Sequence, residues 1–252
     1  MWSVLALNTL GGVLAGLAFY LLSLSRRKLA GWRFKQVFGD GVGEVTFALI
    51  HEELQLRKDM ETCVPPGTFP YEKPGSKGPV KFTFSTRRLV PNNQVRSINY
   101  LAGAIGISVG STPSLRSDIE TQPLLDLDFV SFGGPESNLK TMDCQSNRGN
   151  RLAYFDQAKD LFLRISDRQP LVPFEKGFDY GLILKVIPAQ FPDRVWISCA
   201  GRGEWGTSGA AWFLANKWKD LRERAGSKAF AATVRVRGLQ DQSAELVDVI
   251  TD

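Results

Sequence analysis

Residues 194–214 read RVWISCAGRGEWGTSGAAWFL, an apolar run that enters a glycine-punctuated turn and leaves as a helical pattern. That order constrains the fold. The Val-, Trp- and Ile-rich run suits a buried strand. Gly201, Gly203 and Gly206 fit G-x-G-x-x-G, and Thr207 and Ser208 are good capping residues for the following helix. A strand that delivers a side-chain-free loop to a helix N-terminus also presents unpaired N–H groups and the positive end of the helix dipole, which together hold an anion. The stretch therefore predicts an α/β domain with a phosphate-type pocket.

A second loop of this kind lies upstream. Residues 124–132 form an apolar run closed by Gly133 and Gly134, and Pro135 and Glu136 suit the first turn of a helix. The two glycines permit close backbone approach, and Ser137 and Asn138 offer polar groups to a ligand. The bland alternative is an ordinary strand-to-helix turn closed by Gly-Gly-Pro. The pair counts for more than either loop, because loops that follow parallel strands emerge at one edge of the sheet, where α/β proteins bind ligands.

Around these loops, residues 44–50 give a strand with buried character, followed by His51-Glu52-Glu53. A lone His beside two carboxylates invites an acid–base or metal reading, and a polar strand end with solvated charges is the favoured one. Residues 63–78, CVPPGTFPYEKPGSKG, are an exposed loop long enough to cover something, and residues 80–85 alternate as a strand. A helix begins at Asn92-Asn93-Gln94, with Val95, Ile98, Leu101, Ala102 and Ile105 on one face. Residues 151–155 and 161–165 are short strands around a turn. Residues 180–188 and 194–200 form a hairpin, a helix spans 207–224, and strands at 230–237 and 244–250 close the chain. The predicted class is α/β: a Rossmann-like three-layer sandwich, its sheet mostly parallel with an antiparallel portion.

Residues 4–24, VLALNTLGGVLAGLAFYLLSL, carry no charge. At about 1.5 Å per residue they reach roughly 31 Å, a bilayer's hydrocarbon thickness. Trp2 and Tyr20 lie near the ends, and Arg26-Arg27-Lys28 follow, so the positive-inside rule puts the rest of the chain in the cytoplasm. A cleaved signal peptide fits less well, for lack of a basic n-region and an A-x-A site. The expected organisation is a transmembrane anchor at 1–28, a juxtamembrane connector at 29–43 and a cytoplasmic α/β domain at 44–252. Trp32, Phe34 and Phe38 of the connector lie at the membrane surface or pack under the domain. Gly12-x-x-x-Gly16 is either a face for a helix homodimer or lipid-facing glycine.

The other signals exclude more than they assign. The net charge of +5 on 252 residues has no basic run beyond 26–28 and no aromatic-basic interleaving, which speaks against dedicated nucleic acid binding. Cys63, Cys144 and Cys199 are isolated and no H-E-x-x-H appears, so no metal site is expected. G-x-S-x-G and the Walker pattern are absent as well. No acidic residue caps a strand about twenty positions after the glycine loop, which argues against a full dinucleotide fold, and no cofactor is assigned.

The loops GGPESN and GRGEWGTSGAA resemble the arrangement of the LOG/Smf/DprA-like Rossmannoid superfamily, over residues 124–214. Gly203-Glu204-Trp205-Gly206-Thr207 keeps the family's G-x-x-G-T shape. Its proline is missing, and Gly209, Ala210 and Ala211 stand where its catalytic glutamate would follow. The resemblance implies binding of a nucleotide or nucleotide-derived signal, without the phosphoribohydrolase glutamate. The expectation is thus a single-pass membrane protein whose cytoplasmic domain senses a phosphorylated small molecule. Gly133, Gly134, Gly201, Gly203, Gly206 and Thr207 would form the anion cradle. Ser137, Asn138, Arg202 and Glu204 would add specificity, and the loop at 65–79 would cover the site. Trp205 either stacks on a base or covers the core. The alternatives are a nucleotide or N-glycosidic hydrolase with Glu204 as its acid–base, and a membrane scaffold without a small ligand.

Overall fold

The computed structural model of the chain describes residues 2–55, 88–172 and 175–252. The loop at 63–78, the covering role given to 65–79 and the strand expected at 80–85 lie outside the described residues. The chain opens with α1 (Trp2–Phe38) and a 3-10 turn (Asp40–Gly43). There follow β1 (Ala48–His51), the short pair β2 (Leu54–Gln55) and β3 (Arg88–Leu89), α2 (Asn92–Val109), β4 (Ser114–Ser117), α3 (Asp118–Thr121), β5 (Phe129–Phe132) and α4 (Leu139–Ser146). The rest comprises β6 (Ala153–Asp156), β7 (Leu161–Arg164), β8 (Phe178–Val186), β9 (Trp196–Gly201), α5 (Glu204–Asn216), α6 (Trp218–Ala225), β10 (Phe230–Arg237) and β11 (Gln240–Thr251).

One sheet runs in the order β11-β10-β8-β9-β5-β1-β4. It is evenly mixed rather than mostly parallel. The pairs β1–β4, β1–β5 and β5–β9 are parallel, and β8–β9, β8–β10 and β10–β11 are antiparallel. The cause is β8, which turns back through a hairpin and lies between β9 and β10. Alternation along the strands feeds two cores: Ile183 of β8 joins the cluster with α1, α2, α5 and α6, whereas Leu182, Leu184 and Val186 join the cluster with α4 and the β6–β7 hairpin.

The membrane reading is overturned. Among the described residues, no helix is long and apolar enough to cross a membrane. The part of α1 whose side chains are described, from Gly16 on, carries Arg26, Lys28, Arg33 and Lys35 at short intervals and so holds no stretch of about 20 apolar residues. The side chains of residues 1–15, over half of the span expected at 4–24, lie outside the described residues. The anchor, the single-pass topology, the bilayer as partner, the homodimer face and the cytoplasmic placement that followed from it all fall with this finding. The last turns of α1 belong to the domain. Phe34, Val37 and Phe38 are buried, Phe34 stacks on Phe38 at 4.2 Å between ring centroids, and Trp32 stays exposed.

Two helix boundaries also differ from expectation. The helix expected at 207–224 begins at Glu204 and breaks at Lys217, whose φ of −120° and ψ of 18° end α5 and start α6. The break lets Trp218 meet Phe34 edge-on at 5.2 Å. After Gly133 and Gly134 the chain makes a turn, with the Ser137 and Asn138 amides donating to the Gly134 carbonyl, and α4 starts only at Leu139.

Candidate functional site

The parallel strands β1, β4, β5 and β9 end on one edge of the sheet. That edge carries His51–Glu53, Asp118, the loop at 133–138 and the loop at 201–207. Phe132 pairs with Cys199, and the Gly133 amide donates to the Cys199 carbonyl at 3.1 Å, so the two glycine loops are neighbours.

The second loop does not hold an open anion cradle, because the chain fills it with its own carboxylate. Asp179 of β8 accepts from the Gly203 amide at 3.1 Å and from the Gly206 amide at 2.6 Å. These are two of the four amides at the start of α5 that an external anion would use. The Gly201 amide donates to the Thr207 hydroxyl at 2.9 Å, and Thr207 is buried. The glycines serve close packing. A Cβ at Gly203 would meet Asp179 Oδ2 at 2.7 Å, and one at Gly206 would collide with the Tyr180 carbonyl.

The polar residues of this loop are likewise engaged. Arg202 pairs with Asp160 in the β6–β7 turn. Glu204 accepts from both terminal nitrogens of Arg96, each at 3.1 Å, and the Arg96 guanidinium lies 4.3 Å over the Trp205 ring. Arg96 Nε also donates to Asp241 at 3.0 Å, and the other Asp241 oxygen accepts from Ser208 at 2.6 Å. Glu204 and Trp205 thus help fasten α2 to α5 and β11, and Trp205 packs against the core.

The first loop divides into a strut and an open end. Asn138 is fully buried: its Oδ1 accepts from the Lys140 and Thr141 amides at 2.9 and 3.2 Å, and its Nδ2 donates to the Phe132 and Ile50 carbonyls at 2.9 and 3.3 Å. It caps α4 and ties β1 to β5, so none of its polar capacity is left for a ligand. Ser137 is exposed and stands beside Glu52, whose carboxylate it hydrogen-bonds.

Glu52 is the centre of what remains. Its amide donates to Gln94 Oε1 at 2.7 Å, and Gln94 Nε2 returns a bond to its carboxylate at 2.9 Å. Gln94, on the first turn of α2, is buried. Gly133, at φ +102°, makes room for the group: a Cβ there would lie 2.9 Å from Gln94 Nε2, 3.3 Å from Ser137 Oγ and 3.7 Å from Glu52 Oε2. Burial raises the Glu52 pKa above its ordinary 4.5, and the nearby Asp118 charge adds to the rise, against the hydrogen bonds from Ser137 and Gln94. Asp118, also buried, accepts from the Glu53 and Leu139 amides at 2.9 and 3.1 Å and so fixes the end of β1 against the start of α4. His51 turns away, its Nδ1 lying 2.9 Å from the Glu52 carbonyl.

This cluster lies at the carboxyl ends of the neighbouring strands β1 and β5. The chain leaves β1 for the edge strand β4 and returns to β5 on the other flank of β1, which makes this junction the sheet's topological switch point. Of the ten residues expected to bind a ligand, Gly133, Gly134 and Ser137 border it. Asn138 lies beneath it, and Gly201, Arg202, Gly203, Glu204, Gly206 and Thr207 are held by internal partners. Sequence reasoning missed Gln94, Asp118 and Asp179, and it read Glu52 as a solvated charge. The one available signal for Glu52 was its position directly after a buried strand. Among the described residues no group of three or more His, Cys, Asp or Glu side chains gathers as a metal site. No family model matches the chain, and neither the curated proteins nor the solved structures contain a match to it.

Proposed function

We propose that this α/β domain binds a small, hydroxyl-rich, uncharged molecule of the sugar or ribose type at the carboxyl ends of β1 and β5, with Glu52 as the group that recognises it. The observation that carries the reading is the half-buried Glu52 carboxyl, braced by Gln94 and Ser137 around Gly133 at the switch point. A carboxyl with a raised pKa exchanges hydrogen bonds with hydroxyls in both directions, as acceptor when ionised and as donor when protonated. Asp118 close by makes this place a poor one for an anion, while Gly134, with open space where a Cβ would stand, lets a ligand approach the backbone.

The test is a thermal-shift screen of the full chain against ribose, glucose, adenosine and cytidine, repeated with Glu52→Gln. A ligand at about 100 times its dissociation constant adds about 2.7 kcal/mol. The expected result is stabilisation by at least one compound, with affinity lowered about tenfold or more in Glu52→Gln. No stabilisation by any of the four, or equal affinity in the variant, overturns the proposal.

A further inference from the structure

On the opposite edge of the sheet, a cavity of about 430 Å³ lies between the last turns of α1, the end of β8 and residues 192–195. Its wall includes Lys185, which is 1% exposed. The Lys185 ammonium donates to the Gln36 carbonyl at 2.7 Å and to the Ser227 carbonyl at 2.9 Å. An ammonium has three N–H groups, so one is left over.

Lys140, the other buried lysine among the described residues, shows what a satisfied one looks like. It donates to the Gln122 and Leu124 carbonyls at 3.4 and 3.0 Å and to the Asp143 carboxylate at 3.1 Å, which uses all three donors and balances the charge. Lys185 has no carboxylate within 4.0 Å among the described residues. A buried charge without a counter-ion is costly to keep, and burial alone pushes its pKa down to about 8.

Two features of the wall define what would complete it. Arg194 is already shared between Asp126 and Asp128, and Lys35, Asp40 and Asp193 also line the cavity, so Lys185 is its deeply buried charge. Trp32 and Ile187 supply apolar surface. The volume suits a small organic molecule. We propose that this cavity binds a small organic carboxylate, whose head pairs with the Lys185 ammonium and whose flat apolar body lies against Trp32 and Ile187.

The experiment titrates the full chain with benzoate by calorimetry, with benzyl alcohol as the uncharged partner of the same shape, and repeats both with Lys185→Met and Lys35→Gln. Saturation at one site per chain is expected, weakened about tenfold or more in Lys185→Met, much less in Lys35→Gln, and about tenfold weaker for benzyl alcohol. In lysine side-chain ¹H–¹⁵N spectra of the parent protein, the Lys185 ammonium should shift on benzoate saturation, a readout that stands even if Lys185→Met does not fold. Failure to saturate by about 20 mM, equal affinity in Lys185→Met or for benzyl alcohol, or an unmoved Lys185 signal overturns the proposal. Lys185 would then be only a tether between α1 and the segment before β10.

Discussion

At the scale of single residues, the chain uses carboxylates where its glycine loops suggest an external anion. Asp179 is the clearest case, since it lies on β8 and satisfies the first amides of α5. Asp179→Ala leaves the Gly203 and Gly206 amides without their acceptor, and loss of such a cap costs about 1–2 kcal/mol, to be read as a lower midpoint in urea unfolding. Glu52 behaves in the opposite sense. Its folded pKa is raised, so the folded state holds this proton more tightly than the unfolded chain does. Stability contributed by the protonated carboxyl is fully present below the ordinary value of 4.5 and is lost as pH rises through the folded pKa. Glu52→Gln keeps the shape and removes the ionisation. The variant is therefore expected to melt higher than the parent at pH 7, the gap closing as pH falls below 4.5. A parent that melts higher than the variant at pH 7 would refute the assignment. A residue kept at a cost to stability is what a binding site requires.

At the scale of elements, legibility follows the range of the interaction. The apolar runs at 180–188 and 194–200, the alternation at 230–237 and the helical face of α2 depend on local pattern, and β8, β9, β10 and α2 form close to where the pattern predicts. The start of α4 was misplaced because Gly133-Gly134-Pro135 looks like a helix entry, whereas the cap is Asn138, which reaches across to β1 through the Ile50 carbonyl. The Glu52–Gln94 exchange joins positions 42 apart in the chain, and no spacing rule announces it. The glycines of the second loop were legible as backbone that approaches something closely. That the close neighbours were Asp179 and the Tyr180 carbonyl, and not a ligand, depends on β8 being paired beside β9. Asn138→Ala tests the element-level account. It removes the α4 cap and leaves the Ile50 and Phe132 carbonyls short of a donor, which should cost about 2–3 kcal/mol in chemical denaturation. Asn138→Asp retains the capping oxygen but sets a second acceptor against the Ile50 and Phe132 carbonyls in a buried site, and should cost at least as much as Asn138→Ala at pH 7.

At the scale of the molecule, the end of α1 is part of the core and not a tether to it. Phe34, Val37, Phe38 and Val42 have no exposed surface and join α2, α5 and α6 in one cluster. The turn after α1 is fitted just as closely: a Cβ at Gly41 would collide with the Asp128 carboxylate, which also accepts from the Val195 amide at 2.5 Å and so couples α1 to the start of β9. Lys185 adds a third tie through the Gln36 carbonyl. If this wedge is integral, truncating it is felt throughout the fold. Phe38→Ala should cost about 3–5 kcal/mol, a large part of the 5–15 kcal/mol that typically holds a domain together. Trp32→Ala, a few residues earlier at a position 57% exposed, should change stability by no more than about 0.5 kcal/mol. Urea unfolding followed by far-ultraviolet circular dichroism separates the outcomes. A single transition displaced to lower urea in Phe38→Ala, with Trp32→Ala matching the parent, fits one cooperative unit that includes the end of α1. If Phe38→Ala unfolds at the parent's midpoint, the end of α1 is an appendage and not part of the core it shares with α2, α5 and α6.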